Sequence, residues 1–309
     1  MRAATDIASR RDLDPAWVRQ TIGQAQLLPQ ITRWVLPAPA GTPKNWRVYR
    51  SRFIDPVRIA AGVAFWQAHA DTLERAEREF GVPAAIIVGI IGVETIYGRD
   101  VGSFRVIDAL ATLSFDFPEA HPRATDRRAF FRNELEQFLS LAKRTGMDPA
   151  SLRGSYAGAM GLPQFMPSSW VRYAIDFDGD GRVDLFKSPA DVIGSVANYF
   201  KAFGWQAGMP THYPVQFAPE RLDLPALLAP DILPSFSAAG MASRGVVLDT
   251  PGQQHSGPLA LVELQNGTAA VQYVAGTENF YVITRYNWSS YYAMAVIELG
   301  EAVASARQR

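Results

Sequence analysis

The stretch PAAIIVGIIGVETIYG, residues 83–98, contains one charged residue, Glu94. Proline is favoured in the first turn of a helix and glycine just past its end, so the stretch predicts a helix from Pro83 to Tyr97. Counting back from Glu94 by three, four and seven positions reaches isoleucine each time. Because those positions share one face of a helix, we expect Glu94 to lie on a core-facing apolar stripe.

A carboxyl group on such a stripe suits acid catalysis. Burial disfavours its charged form, and the negative pole at the C-terminal end of a helix acts in the same direction. Both effects favour the protonated form, which a general acid requires. The alternative is a buried structural glutamate that pairs with Arg99 or with a backbone donor at the helix end. The spacing alone leaves both interpretations open.

The composition excludes several classes of protein. The chain has 309 residues, no cysteine, and 30 basic against 30 acidic side chains. Without cysteine there can be no disulfide, zinc-thiolate site or thiol nucleophile. The charge balance lacks the basic excess typical of proteins that bind duplex DNA or anionic lipid, so no nucleic-acid partner is expected. At this length we expect two domains, or one large domain with a smaller attachment.

Two further features concern the location of the protein. No apolar run reaches the roughly 20 residues that a membrane-spanning helix needs. Residues 1–6 lack the apolar stretch of a signal peptide, so we expect either a cytoplasmic protein or the mature form of an exported one.

The rest of the chain is predicted to be mainly helical, with a late β-rich segment. Asn266-Gly267 lies between two strand-like runs, residues 259–265 and 270–274, and predicts a β-hairpin with a type I′ turn. Residues 280–286 are predicted as a third strand. The expected fold class is therefore α+β, mainly α. Helices are predicted at residues 13–28, 55–81, 126–145 (capped by Asp126), 188–203 and 289–307, an extended connector at 36–43, and a packed loop at 154–167.

The sequence DFDGDGRVD, residues 176–184, matches the first nine positions of an EF-hand calcium loop. Aspartates at positions one, three and five offer oxygens to one cation, glycine at six permits the turn, and position seven contributes a backbone carbonyl. Without a cation the aspartates would repel one another; the alternative is a solvated, Asp/Gly-rich turn. Position twelve is Lys187 instead of glutamate, so Asp191 is the candidate replacement. We expect a structural calcium ion that fastens two helices, and not a sensor site.

Seven blocks of sequence together resemble one known family, the bacterial lytic murein transglycosylases of the MltB type, glycoside hydrolase family 103. The blocks follow the family's order from about residue 49 to residue 304, and so many ordered matches are not expected by chance. They are IIGVET (90–95), DALATLSF (108–115), GSYAGAMG (154–161), QFMPSS (164–169), the calcium-type loop from Asp176, GSVANYF (194–200) and TRYN (284–287).

The resemblance implies a lysozyme-like catalytic core with a helical domain and a small β-rich domain. Residues 1–80 and 289–309 would form the helical domain, 81–210 the core with its EF-hand-like loop, and 211–288 the β domain. Enzymes of this family cleave the β-1,4 bond between N-acetylmuramic acid and N-acetylglucosamine in peptidoglycan and leave a 1,6-anhydromuramoyl end. The nucleophile is then the C6 hydroxyl of the substrate, which explains why one carboxyl group suffices.

The resemblance also assigns residues to roles. Glu94 falls on the family's single catalytic acid/base. The residues that would line the glycan groove or the peptide side are Tyr49, Arg127, Arg128, Ser155, Gln164, Tyr199, Tyr286, Asn287 and Tyr292. The calcium ligands carry over to Asp176, Asp178, Asp180, the carbonyl of Arg182, and Asp191.

The expected partner is the glycan strand of peptidoglycan, with the machinery of wall synthesis or lysis as a further candidate. A monomer in the periplasm is expected, with calcium as a structural ion and no organic cofactor. No lipid-attachment cysteine is present, so a membrane anchor is not expected.

Two rival functions stay open at this point. A hydrolytic muramidase would need a second carboxylate near the scissile bond, and Asp100, Asp108 and Asp116 are the candidates. A non-catalytic wall-binding or scaffold protein would keep the groove but not the chemistry.

Overall fold

The computed structural model describes residues 2–39 and 41–308. Met1, Ala40 and Arg309 belong to the predicted helical domain, and Ala40 also to the predicted connector; these three residues lie outside the described residues. Among the residues that are described, no helix is both long and apolar enough to cross a membrane.

The structure confirms an α+β fold that is mainly helical. Up to residue 115 its elements are α1 (Arg2–Arg11), α2 (Pro15–Gly23), α3 (Pro29–Trp34), α4 (Trp46–Ser51), α5 (Pro56–Ala68), α6 (Ala70–Phe80), α7 (Ala84–Thr95), β1 (Phe104–Arg105) and α8 (Val106–Phe115). Up to residue 217 they are α9 (Ala124–Thr145), β2 (Arg153–Gly154), α10 (Pro167–Tyr173), α11 (Pro189–Ala202) and β3 (His212–Phe217). The last are α12 (Leu224–Leu228), α13 (Ala238–Ala242), β4 (Val246–Leu248), α14 (Thr250–Gln253), β5 (Ala260–Asn266), β6 (Ala269–Gly276), α15 (Glu278–Thr284) and α16 (Ser290–Arg307).

The chain divides into two compact units. The first, which we call the carboxylate unit, consists of residues 1–40 and 94–195. The second, which we call the aromatic unit, consists of residues 41–93 and 196–309. The predicted division into helical, core and β domains stays a prediction.

The carboxylate unit is built on the long helix α9, which packs against α8, α10 and α1. One face of α9 is apolar and fully buried, with Phe131, Leu135 and Phe138 at spacings of four and three residues. Glu136 on the same helix accepts hydrogen bonds from Arg10 and Arg11, at 2.6 and 3.2 Å, and so ties α1 to α9.

The aromatic unit combines a helical pair with a sheet. A Cβ atom built on Gly89 of α7 would lie 2.2 Å from the carbonyl oxygen of Val296, and one on Gly300 of α16 would lie 2.1 Å from that of Ala85. Glycine at both positions therefore lets α7 and α16 approach backbone to backbone. The four-stranded antiparallel sheet has the order β4-β3-β6-β5, and the predicted hairpin β5–β6 is present. The predicted type I′ turn is wrong: Asn266 pairs with Ala269, and Gly267, with φ 62°, is the one residue from Asn266 to Thr268 with a positive φ, whereas type I′ needs two.

Several predictions of secondary structure were wrong in detail. Residues 280–286 lie mostly in α15, not in a strand, because Thr277 caps a helix by accepting the backbone N–H of Asn279 at 3.1 Å. A short apolar run rich in β-branched and aromatic residues does not distinguish a buried helix from a strand. The predicted helix at 55–81 is divided at His69 into α5 and α6. Asp126 lies in the first turn of α9 and does not cap it.

Candidate active site and metal loop

Glu94 is the penultimate residue of α7 and is half-buried. The chain turns sharply after it, because Ile96 and Tyr97 both have positive φ angles, 51° and 58°. This conformation is unusual for any residue with a Cβ atom and is an outlier for a β-branched one. Strained backbone of this kind persists only where its surroundings hold it, and it is enriched at active sites.

Thr95 holds the turn that follows Glu94. Its side chain is fully buried, and its hydroxyl donates to the carbonyl oxygen of Leu162 at 2.8 Å and accepts the backbone N–H of Gly98 at 3.1 Å. The backbone N–H of Leu162 donates in turn to the carbonyl of Leu185 at 2.9 Å. A chain of hydrogen bonds therefore runs from Leu185, through Leu162, to the residue next to Glu94.

Residues 154–167, which we call the Gly loop, form a packed loop, as predicted. Met160 exchanges two backbone hydrogen bonds with Phe165, at 2.9 and 3.0 Å, and bridges to Gly154. Gly161 has φ 73°, and a Cβ atom built on it would lie 2.5 Å from the carbonyl oxygen of Leu185. Backbone pairing and close approach thus shape this loop, and both depend on glycine.

Ser155 and Gln164 are the two predicted glycan contacts in the Gly loop. The Ser155 Oγ accepts two backbone N–H groups of the loop, at 3.0 and 3.2 Å. The Gln164 amide nitrogen donates to the carbonyl oxygens of Val101, at 3.1 Å, and Gly161, at 2.9 Å. Ser155 therefore keeps its hydroxyl hydrogen for a ligand, and Gln164 keeps its side-chain oxygen.

The predicted metal ligands lie in residues 176–191, which we call the Asp loop. The carboxylates of Asp176, Asp178 and Asp191 each place an oxygen within 4.8 Å of the others. Asp180 is outside this group, and its Oδ1 accepts the backbone N–H of Arg182 at 2.8 Å. Clustered carboxylate oxygens are the donor set that Ca²⁺ prefers, so these residues fit a calcium ion.

Asp191 joins the Asp loop to α11. It lies in the first turn of α11. Its carboxylate points back to the Asp loop and accepts the backbone N–H groups of Phe177, at 2.7 Å, and Asp184, at 2.8 Å. Burial raises the pKa of Asp191, since the charged form loses its hydration. Ser188, which caps α11 through the N–H of Asp191, also donates its hydroxyl to Asp178 at 2.7 Å, and this hydrogen bond is the main reason why the pKa of Asp178 is lowered.

Three predicted groove residues of the aromatic unit come together. The ring of Tyr286 lies 4.9 Å from that of Tyr199 and is stacked at 6.4 Å on that of Tyr292, measured between centroids. Tyr199 and Tyr292 are buried, whereas Tyr286 is half-buried. Tyr199 donates its hydroxyl to the carbonyl of Arg285 at 2.7 Å. Within this group, Tyr286 is therefore the ring best placed to meet a ligand.

The other predicted contacts of the aromatic unit lie apart from that group or on its edge. Asn287 follows Tyr286 and is exposed. Tyr49 belongs to a different cluster, where its ring contacts those of Trp46, Phe53 and Tyr291 at 5.0 to 6.3 Å between centroids.

Arg127 and Arg128 follow each other on α9 but have different surroundings. The guanidinium of Arg127 lies over the rings of Phe130 and Phe131, about 5 Å from each centroid, and burial lowers its pKa. Arg128 forms an ion pair with Glu119. Arg127 is therefore the better candidate for a ligand contact, because no carboxylate among the described residues forms an ion pair with it.

Of the three carboxylates that a muramidase could use, the buried one is already engaged in other interactions. Asp108 is buried, accepts the backbone N–H of Gln26 at 2.9 Å and lies 3.6 Å from the guanidinium of Arg105. It therefore joins the segment that follows α2 to α8. Asp100 and Asp116 are both exposed to solvent.

Sequence reasoning missed the contacts that support the site. Thr95 gave no signal, because its hydrogen bond to Leu162 joins residues 67 positions apart. An aromatic cluster was also missed: Trp34 is half-exposed and contacts the rings of Phe104 and Tyr156 edge-on. Tyr156 follows Ser155, and this adjacency was the one available signal.

Comparisons with known proteins identify a family that matches almost the whole chain. A family model described as the transglycosylase SLT domain matches residues 1–301. The chain is 41% identical over 317 residues to the membrane-bound lytic murein transglycosylase B of Escherichia coli. The aligned region covers 97% of this chain and 81% of the relative.

Two solved structures are similar over the whole chain. The soluble lytic transglycosylase SltB1 of Pseudomonas aeruginosa is 42% identical, with a TM-score of 0.88 and complete coverage of both chains. The Escherichia coli lytic transglycosylase Slt35, solved in complex with calcium, is 41% identical with a TM-score of 0.84, covering 100% of this chain and 93% of the other.

Proposed function

This chain belongs to the transglycosylase SLT family, the lytic murein transglycosylases that cleave peptidoglycan, and from that premise we propose its bond specificity and product. It cleaves the β-1,4 bond from N-acetylmuramic acid to N-acetylglucosamine and leaves a 1,6-anhydromuramoyl end. The observation that carries the proposal is Glu94, half-buried at the end of α7 and followed by a strained, anchored turn.

In the proposed mechanism Glu94 acts twice. It first donates its proton to the glycosidic oxygen, so that the bond from C1 to that oxygen breaks and the N-acetylglucosamine leaves with a free hydroxyl. The C6 hydroxyl of the muramoyl residue then forms a bond to C1 and returns its proton to Glu94. No water is consumed and the enzyme regains its starting protonation state.

A single carboxyl group is sufficient for this sequence. A hydrolase needs a second carboxylate, either to attack C1 or to activate water. Asp108, the buried candidate, is already bound to Gln26 and Arg105, which favours the intramolecular route over hydrolysis.

Product analysis tests the proposal directly. Wild-type enzyme should release muropeptides with anhydromuramoyl ends from purified sacculi, as measured by mass spectrometry. Glu94→Gln keeps the shape of the side chain but cannot transfer the proton, so we expect a loss of at least about 10³-fold in turnover with glycan binding retained. Reducing muramoyl ends would support a muramidase instead, and undiminished turnover by Glu94→Gln would remove this residue from the mechanism.

We further propose that the glycan is contacted by polar groups of the Gly loop and by exposed aromatic faces. Ser155 offers a hydroxyl hydrogen and Gln164 an amide oxygen, which suit sugar hydroxyls. Tyr286 and Tyr49 offer apolar ring faces on which a pyranose can stack. The same role is assigned to Tyr199, Asn287 and Tyr292 and, on the peptide side, to Arg127 and Arg128.

We propose that the Asp loop binds one structural calcium ion. Asp176, Asp178 and Asp191 supply clustered oxygens, and Asp180 and the carbonyl of Arg182 complete the expected EF-hand-like set. The ion would neutralise carboxylates that otherwise repel one another and would hold the loop against α11. It has no part in bond cleavage.

The substrate also implies where the protein works. Peptidoglycan lies outside the cytoplasmic membrane, so we propose that the protein acts in the periplasm as a monomer on glycan strands, where wall-synthesis or lysis proteins would be its partners.

A further inference from the structure

Arg58 is a buried cation whose contacts lead to the helix that carries Glu94. It lies in the first turn of α5 and is 8% exposed. A cation is unfavourable at this end of a helix, where the macrodipole is positive, and burial removes the hydration of its charge. The side chain therefore needs partners that offset both costs, and most of these partners lie outside α5.

The first partner is the carbonyl oxygen of Gly92, in the last turn of α7. The Nε of Arg58 donates to it at 3.0 Å in a buried hydrogen bond. Carbonyl groups at the C-terminal end of a helix form its negative pole, so a cation that donates to one of them is stabilising. Gly92 precedes Glu94 by two residues on the same helix. Arg58 therefore fixes the backbone of α7 just before the proposed acid/base.

The other partners of Arg58 lie between α4 and α5. Its Nη1 donates to the carbonyl oxygen of Arg52 and to the Oδ2 of Asp55, the latter at 3.0 Å. Its guanidinium lies over the ring of Phe53, 5.3 Å from the centroid, and that ring lies 5.0 Å from the ring of Tyr49. One side chain thus joins the end of α7 to the segment beside a proposed glycan contact.

From these contacts we infer that Arg58 is a positioning residue for the cleavage reaction. It holds the end of α7, so that the carboxyl group of Glu94 keeps a constant place relative to the bond that it protonates. The turn after Glu94 is held separately by Thr95, so the chain is anchored on both sides of the acid/base.

The proposed reaction makes this position critical. One carboxyl group must serve two oxygens in succession, the glycosidic oxygen and the C6 hydroxyl. A misplacement of about 1 Å can lower turnover by about 10²-fold. The inference rests on the proposed function, since it takes Glu94 as the acid/base.

Steady-state kinetics on soluble, uncrosslinked glycan strands test the inference. Turnover is counted as glycosidic bonds broken, at a temperature well below the melting temperature of every variant. We expect Arg58→Gln to lower kcat by about 10- to 100-fold and to raise KM by less than about threefold. KM should change little because the ring of Tyr49 also contacts those of Trp46 and Tyr291. An unchanged kcat, or a rise in KM that exceeds the fall in kcat, overturns the inference.

Two further variants at position 58 complete the test. Arg58→Lys keeps the charge and can donate to the Gly92 carbonyl, so it should recover a large part of the lost kcat; no recovery would contradict the inference. Arg58→Met fills the space without a polar group and should lose as much kcat as Arg58→Gln. It decides the question if Arg58→Gln does not fold, because apolar side chains of similar size are tolerated at buried ionic sites.

Two variants elsewhere separate positioning from the loss of a buried ion pair. Asp55→Asn removes the carboxylate that pairs with Arg58, but asparagine still caps α5 and the hydrogen bond to Gly92 remains. Glu136→Gln removes the buried carboxylate that ties α1 to α9. Both should keep kcat within about twofold of wild type even where they melt at a lower temperature. A loss of kcat in either variant equal to that of Arg58→Gln would refute the positioning role.

The product assay separates this inference from the proposed function. If wild type forms anhydromuramoyl ends and Arg58→Gln keeps the wild-type kcat, the inference fails and the proposed function stands. If wild type leaves reducing ends but kcat depends on Glu94 and Arg58 as described, the proposed product is wrong and the positioning role stands.

Discussion

The Gly loop and the Asp loop are both irregular, both rich in glycine and both part of the carboxylate unit, yet they are held by different forces. In the Gly loop, Gly161 lies so close to Leu185 that there is no room for a Cβ atom. In the Asp loop, Gly179 has a similar φ of 78°, but nothing lies within 4 Å of the corresponding position. The Gly loop is therefore limited by space, and the Asp loop only by backbone conformation.

Charge makes the second difference. The Gly loop, residues 154–167, has no charged side chain and is held by backbone pairing. In the Asp loop, side-chain carboxylates accept the backbone N–H groups: Asp176 alone accepts those of Gly179, Asp180 and Gly181, at 2.7 to 3.2 Å. The same carboxylates repel one another, so under the calcium proposal this loop is fully stable only with a cation bound.

The two loops meet through the hydrogen bond from Leu162 to Leu185, and Leu162 in turn accepts the hydroxyl of Thr95. The Asp loop therefore braces the Gly loop, and the Gly loop braces the turn next to Glu94. If the Asp loop binds calcium as proposed, a loop stabilised by a cation supports one that is not, and variants in either loop can test this dependence.

The largest effect is expected for a methyl group added to the Gly loop. Gly161→Ala places a Cβ atom 2.5 Å from a backbone oxygen that cannot move without breaking its hydrogen bond, so we expect a loss of about 3 kcal/mol in the free energy of unfolding. Urea denaturation measures it. Gly179→Ala is the matched control, because it introduces only the positive-φ strain and should cost about 1 kcal/mol. Equal losses would show that space is not what distinguishes the two loops.

A smaller effect, about 2 to 3 kcal/mol at saturating metal, is expected from calcium itself. Adding calcium to chelated protein should raise its melting temperature by several degrees. Asp191→Asn should abolish this rise, because it removes a ligand charge and one of two acceptors for the N–H groups of Phe177 and Asp184. Differential scanning calorimetry with and without a chelator measures the shift.

Asp184→Asn is the control for the calcium experiment. It changes the same kind of side chain in the same loop, but Asp184 is not among the proposed calcium ligands and its Oδ1 accepts the backbone N–H groups of Phe186 and Lys187. This variant should keep the calcium-dependent rise. A wild-type melting temperature that does not respond to calcium would refute the metal site altogether.

The bracing between the loops predicts a third, more local effect. Thr95→Val keeps the shape of the side chain but loses the hydrogen bond to the Leu162 carbonyl, which should cost about 1 to 2 kcal/mol of stability. Turnover on peptidoglycan should fall as well, because the turn that positions Glu94 is loosened. Thr95→Ser keeps the hydroxyl and should restore most of the turnover. If Thr95→Val loses stability but keeps full turnover, the bracing does not reach Glu94.

Much of this architecture could be predicted from local sequence. The helix that carries Glu94, the hairpin at Asn266-Gly267 and the packed Gly loop follow from short patterns whose physical causes are local: capping, turn chemistry and apolar spacing. The EF-hand spacing also predicted that Asp176 and Asp178 lie together, but it equally predicted Asp180, which lies outside the cluster. Asp191 does belong to the cluster, and it was proposed because Lys187 occupies position twelve.

The remaining features depend on contacts that are distant in sequence. The helix α15 was mistaken for a strand because its burial on several sides hides the helical period. The hydrogen bonds that join Thr95, Leu162 and Leu185 involve one hydroxyl and three backbone groups, and backbone groups are identical in every residue. No pattern of residue types could therefore have indicated them.

The smallest predicted effect is a pH dependence of stability that arises from Glu134, next to the end of the Gly loop. There Glu134, which is 1% exposed, accepts the backbone N–H and the hydroxyl of Ser168 at 2.8 and 2.6 Å and so caps α10. Burial raises the pKa of Glu134 above its ordinary value of 4.5. The folded protein therefore holds this proton to a higher pH than the unfolded chain, and stability is lost as the pH rises from the unfolded pKa through the folded one.

The variant Glu134→Gln has no ionisable group at this position, so its stability should not fall with rising pH for this reason. The melting temperature of wild type relative to this variant should therefore fall as the pH is raised from about 4 to 7. Thermal denaturation at a series of pH values, with exposed Glu79→Gln as control, measures the difference. Since Glu134 lies outside the Asp loop, added calcium should leave this pH dependence unchanged. A calcium-sensitive result would mean that the Gly loop, too, depends on charge.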